Sequence, residues 1–274
     1  MLPPVAGNVA ELRKLVGGRE VALTATMGAL HEGHLSLIRT ARNLAAANVA
    51  SIYVNPKQFG AGEDFDSYPR DLSADREKLR GLADVVFAPA SLYPENQTVH
   101  ISLPPVAEEL CGKFRPEFFA GVSLAVCKLF NCVRPKAAVF GKKDFQQLHI
   151  VRLLARQLQY PIEIVAGETA READGLAHSS RNVYLSAAER KLAPLLPRTL
   201  REAAENIDKG APPKTEAAAA AESLRRGGFN VEYAEARDYD TLGAPGGGRI
   251  VLLAAAFLGK TRLIDNMECR TPRG

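Results

Sequence analysis

A doubly wound α/β fold, with a Rossmann-like, mostly parallel sheet, is predicted by two observations. Short apolar runs alternate with stretches of helical periodicity over the first two-thirds of the chain. Most of those runs stop at Gly, Pro or Asn. A β-α-β-α order puts strands parallel in one sheet, with helices on both faces. Ligands on such sheets bind beyond the carboxyl ends of the strands.

Taken in order, Val21–Thr26 is the first strand and stops at Met27-Gly28. A helix is expected over 34–47, with Leu35, Ile38, Ala41, Leu44 and Ala45 on one side. A strand follows at 49–54 and stops at Asn55-Pro56. Ser73 is the expected N-cap of a helix through Leu82, and 85–88 is a strand closed by Pro89. Phe118–Val133 is a helix, 137–140 a strand closed by Gly141, 144–159 a helix and 162–165 a strand. The pattern then changes. Ser186 and Glu189 form a capping box that opens a helix interrupted at Pro194 and Pro197. An Ala-rich helix is expected over 215–226 and a strand over 229–236. A hairpin is expected across Leu258-Gly259-Lys260. We therefore expect a Rossmann-like domain over 1–185 and a smaller α+β domain, acting as a lid, over 186–274.

Composition sets the class. The chain has 274 residues, 46% hydrophobic and 24% charged, with a net charge of +4. That is an ordinary globular balance, neither disordered nor a disulfide scaffold. The 35 Lys and Arg are scattered and no nucleic-acid module signature occurs, so a small anionic substrate is expected rather than nucleic acid. Cys111, Cys127, Cys132 and Cys269 form no Cys-x-x-Cys pair, which argues against a zinc site and for reduced thiols in the cytoplasm. The N-terminus lacks the pattern of a signal peptide, and no apolar run is long enough to cross a membrane.

The strongest motif is Thr26-Met27-Gly28-Ala29-Leu30-His31-Glu32-Gly33-His34. It closes the first strand and opens the first helix, whose N-terminus offers N–H groups and a positive dipole to phosphate. Two histidines three residues apart face one way and can donate to developing negative charge. His-Glu-x-x-His is absent, so this is no zinc-protease helix. Gln58 lies just past the next strand, where an amide can hold a hydroxyl and a carboxylate at once. Acidic residues follow, and Asp75 is a candidate ligand for Mg²⁺ carried with ATP phosphates. Arg115 can pair with a carboxylate or phosphate. Gly141-Lys142-Lys143-Asp144, then Gln147, lie between a strand and a helix, and Lys143 is a mobile cation suited to phosphates. Ala170, then His178-Ser179-Ser180-Arg181-Asn182, form a further polar loop. Three decoys fail. Phe257–Thr261 lacks the first Gly of a P-loop, and neither a Gly-x-Gly-x-x-Gly nor a Gly-x-Ser-x-Gly occurs in place.

His31-x-Gly33-His34 in this setting resembles the HIGH motif of nucleotidylyltransferases and class I tRNA synthetases. The whole string from Thr26, with the four later segments, resembles the pantoate–β-alanine ligase family. The resemblance implies ATP-dependent joining of pantoate to β-alanine through a pantoyl adenylate, in a cytoplasmic homodimer. It implies catalytic roles for His31, His34, Lys143 and Arg181. It implies that Met27, Gly28, Ala29, Leu30, Glu32, Gly33, Gly141, Lys142, Asp144, Ala170, His178, Ser179 and Ser180 join those four around ATP. Thr26, Gln58 and Gln147 would hold pantoate, with β-alanine also near Gln58. The Ser179–Arg181 loop corresponds to the synthetases' KMSKS loop. The chain departs from the usual family pattern at Ala25 (Pro), Glu117 (Gly), Phe118 (His), Lys142 (Glu) and His178 (Met or Leu). The alternatives are a nucleotidylyltransferase of the same superfamily and an inactive ATP-binding homologue. The Gln58 and Gln147 pair argues against the first, and the retained His31, His34, Lys143, Ser179 and Arg181 against the second.

Overall fold

The computed structural model describes residues 1–60 and 62–272. Six strands form one parallel sheet: β1 (Val5–Ala6), β2 (Val21–Thr26), β3 (Ala47–Ile52), β4 (Val85–Phe87), β5 (Ala137–Gly141) and β6 (Glu163–Gly167). Their order is β1-β4-β3-β2-β5-β6. From β2 the chain steps outward through β3 to β4, then returns to the other side of β2 for β5 and β6. Right-handed crossovers on a sheet that reverses this way put helices on both faces. The reversal lies between β2 and β5, so the crevice at their carboxyl ends is the natural ligand position. Met27 and Lys142 follow those two ends directly.

The helices of this region are α1 (Val9–Val16), α2 (Glu32–Arg42), α3 (Leu72–Lys78), α4 (Cys111–Phe114), α5 (Phe118–Val133) and α6 (Phe145–Gln157). Ile38 of α2 packs with Ala50 of β3, Val86 of β4 and Leu79, just past α3. Ala41 and Leu37 of the same helix pack with Ala22 and Val139 of β2 and β5. A helix that is apolar on one stripe thereby covers both sides of the switch point. The expected α2 was longer; it stops at Arg42, capped at Asn43, and β3 begins at Ala47. Asp71, not Ser73, caps α3: its Oδ1 accepts from the Ala74 amide at 2.9 Å. β1, α1 and α4 were not expected from the sequence. The signal for α1 was present, since Asn8 caps it and Gly17 ends it at φ 63°.

The second sheet is antiparallel, β7 (Asn230–Asp238), β8 (Arg249–Leu258) and β9 (Thr261–Arg270) in that order. Leu258 pairs with Thr261, so the expected hairpin is present. The helices are α7 (Ala187–Leu192), α8 (Leu195–Asp208) and α9 (Pro213–Arg226). The Ser186 and Glu189 capping box forms, and Pro194 separates α7 from α8, becoming the N-cap of the latter. Leu196, Leu200 and Ile207 of α8 pack with Leu224 of α9 and with Ile250 and Leu252 of β8.

The chain divides into two compact units. One comprises Met1–Lys142 and Ile150–Glu168; the other comprises Lys143–His149 and the described chain from Thr169 onward. This division differs from the expected one at 185. Leu176 lies in the core of the second unit, and Arg171 makes a bidentate ion pair with the buried Asp265 of β9 at 2.7 and 2.9 Å. Two contacts therefore tie 169–185 to the antiparallel sheet. Among the described residues, no helix is long and apolar enough to cross a membrane.

Candidate active site

In the first unit the site is built around the turn from β2 into α2. Gly28 and Ala29 are both left-handed, at φ 82° and 49°. For Ala29 that conformation costs about 1–2 kcal/mol, so something must hold it. Asp75 does so: its two oxygens accept the Ala29 and Leu30 amides at 2.9 and 2.8 Å. Lys78 adds a bond from Nζ to the Leu30 carbonyl at 2.7 Å. A Cβ on residue 28 would stand 2.9 Å from Asp75 Oδ2, so Gly28 is required by space as well as by φ. Thr26 is buried, with its hydroxyl donating to the Ser51 carbonyl and accepting from the Gly28 amide.

The two histidines form a capping box. His31 is the N-cap of α2, and its Nδ1 accepts the Gly33 amide at 3.1 Å. His34 Nδ1 accepts the His31 amide at 3.4 Å. Their rings lie 4.0 Å apart. A neutral imidazole that accepts at Nδ1 carries its proton on Nε2. Helix geometry thus fixes one tautomer for both rings and makes each Nε2 a donor. Glu32 is turned along the helix, where both its oxygens meet Arg39.

Gln58 is brought to the same turn. Its Nε2 donates to Met27 Sδ, and its Oε1 accepts from Asn55 Nδ2 at 3.0 Å. The 3-10 turn Pro56–Gln58 that carries it rests on α5. A Cβ at Gly121 would meet the Lys57 carbonyl at 1.8 Å, so this close approach needs glycine. Lys142, at the end of β5, pairs with Glu168 at 2.6 Å. Arg115 is directed to protein rather than left for substrate. It holds both oxygens of Glu63, at 2.7 and 2.5 Å, donates to the Gln58 carbonyl and stacks 3.7 Å from the Phe118 ring centroid. Phe118, where the family usually has His, thus supplies a platform for the guanidinium. Glu117, where the family usually has Gly, is left-handed at φ 63°. Glu117→Gly should therefore stabilise the protein by about 1 kcal/mol; a denaturant midpoint equal to or below that of the unchanged chain would contradict the strain.

The second unit gathers the remaining candidates. Lys143 begins the segment that includes the start of α6, and Asn266 Nδ2 of β9 donates to its carbonyl at 3.0 Å. Asp144 is exposed and Gln147 is half-buried on α6. Ala170 and His178 are joined by a backbone bond of 3.0 Å beside an Arg171–Ala177 bridge. Ser179 caps the short 3-10 helix Ser180–Tyr184, its Oγ accepting the Arg181 amide at 3.3 Å. Asn182 Nδ2 ties this loop to Glu172 and to the Ala177 carbonyl. Arg190 grips Glu172 and Asp174, both at 2.6 Å, and holds the Asp174 carboxyl below its ordinary range. The polar loop is thus anchored within its own unit by acids and an arginine that sequence patterns did not single out. Asn266, Asp265, Lys78 and Asn55 were also missed as supports. Their one common signal was polar identity beside apolar neighbours.

The structure sets Asp75, expected from the sequence as a metal ligand, against the backbone of the β2–α2 turn. Asp75 is 2% exposed, with both oxygens spent on backbone amides. Among the described residues, no group of three or more His, Cys, Asp or Glu side chains is placed to hold a metal ion.

A family model described as pantoate–β-alanine ligase matches residues 5–268. A pantothenate synthetase of Thiobacillus denitrificans is 51% identical over 98% of this chain and 98% of that relative. The crystal structure of a Thermus thermophilus pantothenate synthetase superposes with a TM-score of 0.91 at 40% identity, covering 96% of this chain and 98% of that one. A Francisella tularensis pantoate–β-alanine ligase, solved with β,γ-ATP and β-alanine, gives a TM-score of 0.81 at 29% identity over 97% of each chain.

Proposed function

The chain belongs to the pantoate–β-alanine ligase family, and from that premise we propose that it condenses pantoate with β-alanine at the expense of ATP, releasing AMP and pyrophosphate. The observation that carries this is the two-histidine capping box after β2, with Gln58 reaching the same turn. The ATP and β-alanine in the Francisella relative support the same substrates.

A carboxylate is a poor acylating agent, because oxide would have to leave. Attack of a pantoate carboxylate oxygen on the α-phosphorus of ATP forms a P–O bond and expels pyrophosphate. The amine of β-alanine then attacks the acyl carbon, and AMP leaves. The first step brings two anions together. His31 and His34 would donate from Nε2 to phosphate oxygens, and the α2 dipole adds positive potential. Lys143 and the Ser179–Arg181 loop of the second unit would supply further positive charge and hydroxyl donors to the phosphates, with Lys142, Asp144, Ala170, His178 and Ser180 completing the nucleotide contacts. Gln58 and Gln147 would hold pantoate for in-line attack, so that much of the rate comes from positioning. Thr26 would contribute through the turn it fixes. Mg²⁺ enters as part of the nucleotide substrate, not as an ion held by this chain. We place the enzyme in the cytoplasm, where its four thiols stay reduced, as a homodimer like that expected of the family.

The test is product analysis with all three substrates. AMP and pantothenate should appear in equal amounts, and omission of pantoate or β-alanine should abolish net AMP release. A product that retains the nucleotide would instead assign the chain to nucleotidyl transfer.

A further inference from the structure

We infer that Tyr93 is a positioning residue for the acid substrate, acting through Asn55 to set the orientation of the Gln58 amide. It rests on the proposed pantoate role of Gln58. Asn55 is buried and fully committed. Its Oδ1 accepts from Tyr93 Oη at 2.7 Å and from the Lys57 amide at 3.2 Å. Its Nδ2 donates to Gln58 Oε1 at 3.0 Å and to the Gly121 carbonyl at 3.1 Å.

Each of these bonds has a direction. The Lys57 amide can only donate and the Gly121 carbonyl can only accept, so the Asn55 oxygen faces Tyr93, whose hydroxyl donates to it, and the Asn55 NH₂ faces Gln58. Gln58 must then present its own oxygen to Asn55, which aims its NH₂ at Met27 and the turn carrying the histidines. A flipped Gln58 would place two NH₂ groups against each other and turn an acceptor toward an anionic substrate. The relay therefore selects the donor face that a carboxylate needs. Tyr93 is suited to it, because burial pushes its hydroxyl pKa up and keeps the proton on. The ammonium groups of Lys57 and Lys128 each stand 5.4 Å from its ring centroid, which holds the ring in place.

Tyr93→Phe keeps the ring and removes only the donor. In pantoate-dependent pyrophosphate–ATP exchange it should raise the pantoate KM about tenfold and leave the ATP KM within about twofold. In a Gln58→Ala background the same change should have no further effect. Equal shifts in both KM values, or an undiminished effect without Gln58, would overturn the relay. A second readout does not depend on turnover. The Gln58 side-chain NH₂ resonances, identified by their loss in Gln58→Ala, should move in Tyr93→Phe; resonances that stay fixed would equally overturn it. Absence of pantoate-dependent exchange in the unchanged enzyme would overturn the pantoate role itself, while the resonances would still report on the relay.

Discussion

His34→Ala should lower the rate of adenylate formation about 100- to 1,000-fold, the usual effect of removing one donor aimed at developing charge. Stability should fall by only about 1 kcal/mol, the size of a lost helix cap. The two effects separate because the residue does two things. Its Nδ1 closes the capping box on the His31 amide, a local bond at the surface of one helix end. The Nε2 proton, placed by that same bond, is the donor we propose for the nucleotide. Single-turnover formation of the adenylate, read with thermal unfolding, checks both. Near-unchanged turnover would remove His34 from the chemistry, and a collapse of stability would make its role structural.

Asp75→Ala should be more damaging to the fold. Two amides lose a buried acceptor, at about 1–3 kcal/mol each. Ala29, left-handed at φ 49°, loses the group that holds it. We expect a destabilisation of about 2–5 kcal/mol, measured by denaturant unfolding. Where the variant remains folded, exchange should fall about 100-fold, because the histidine pair is carried by the turn that Asp75 staples. Asp75→Asn should recover part of both, since an amide oxygen replaces one of two acceptors. A metal-ligand role predicts something else: unchanged stability and a higher Mg²⁺ requirement. That outcome would overturn the assignment of Asp75 to the backbone.

The contrast between these two residues shows what the sequence made legible. The histidines stood out because the role proposed for them and the local structure they form use the same spacing. Three residues apart at a helix start is both a capping box and a pair of donors. The sheet was legible for a similar reason, since apolar runs that end at turn residues carry their own boundaries. Asp75 was legible as a candidate, but the two amides that it accepts were not. Its partners lie 46 and 45 residues earlier in the chain, and only the fold brings them together. The same holds for Asn266, 123 residues from the Lys143 carbonyl it supports. Arg115 was read as able to pair with a carboxylate or a phosphate; the carboxylate is Glu63, 52 residues earlier in the chain, and only the fold brings the two together. β1 escaped notice because two residues carry no period, although pairing with β4 defines them in the sheet. The division near 185 was placed at a change of local pattern, whereas the fold divides where long-range packing changes, at Thr169.

Activation of pantoate as an acyl adenylate separates the proposed ligation from nucleotidyl transfer. The most direct test is exchange of labelled pyrophosphate into ATP, with pantoate present and β-alanine absent. Exchange should depend on pantoate and stop when pantoate is omitted. Exchange that is absent with pantoate, or that proceeds equally without it, would rule out a pantoyl adenylate on this chain.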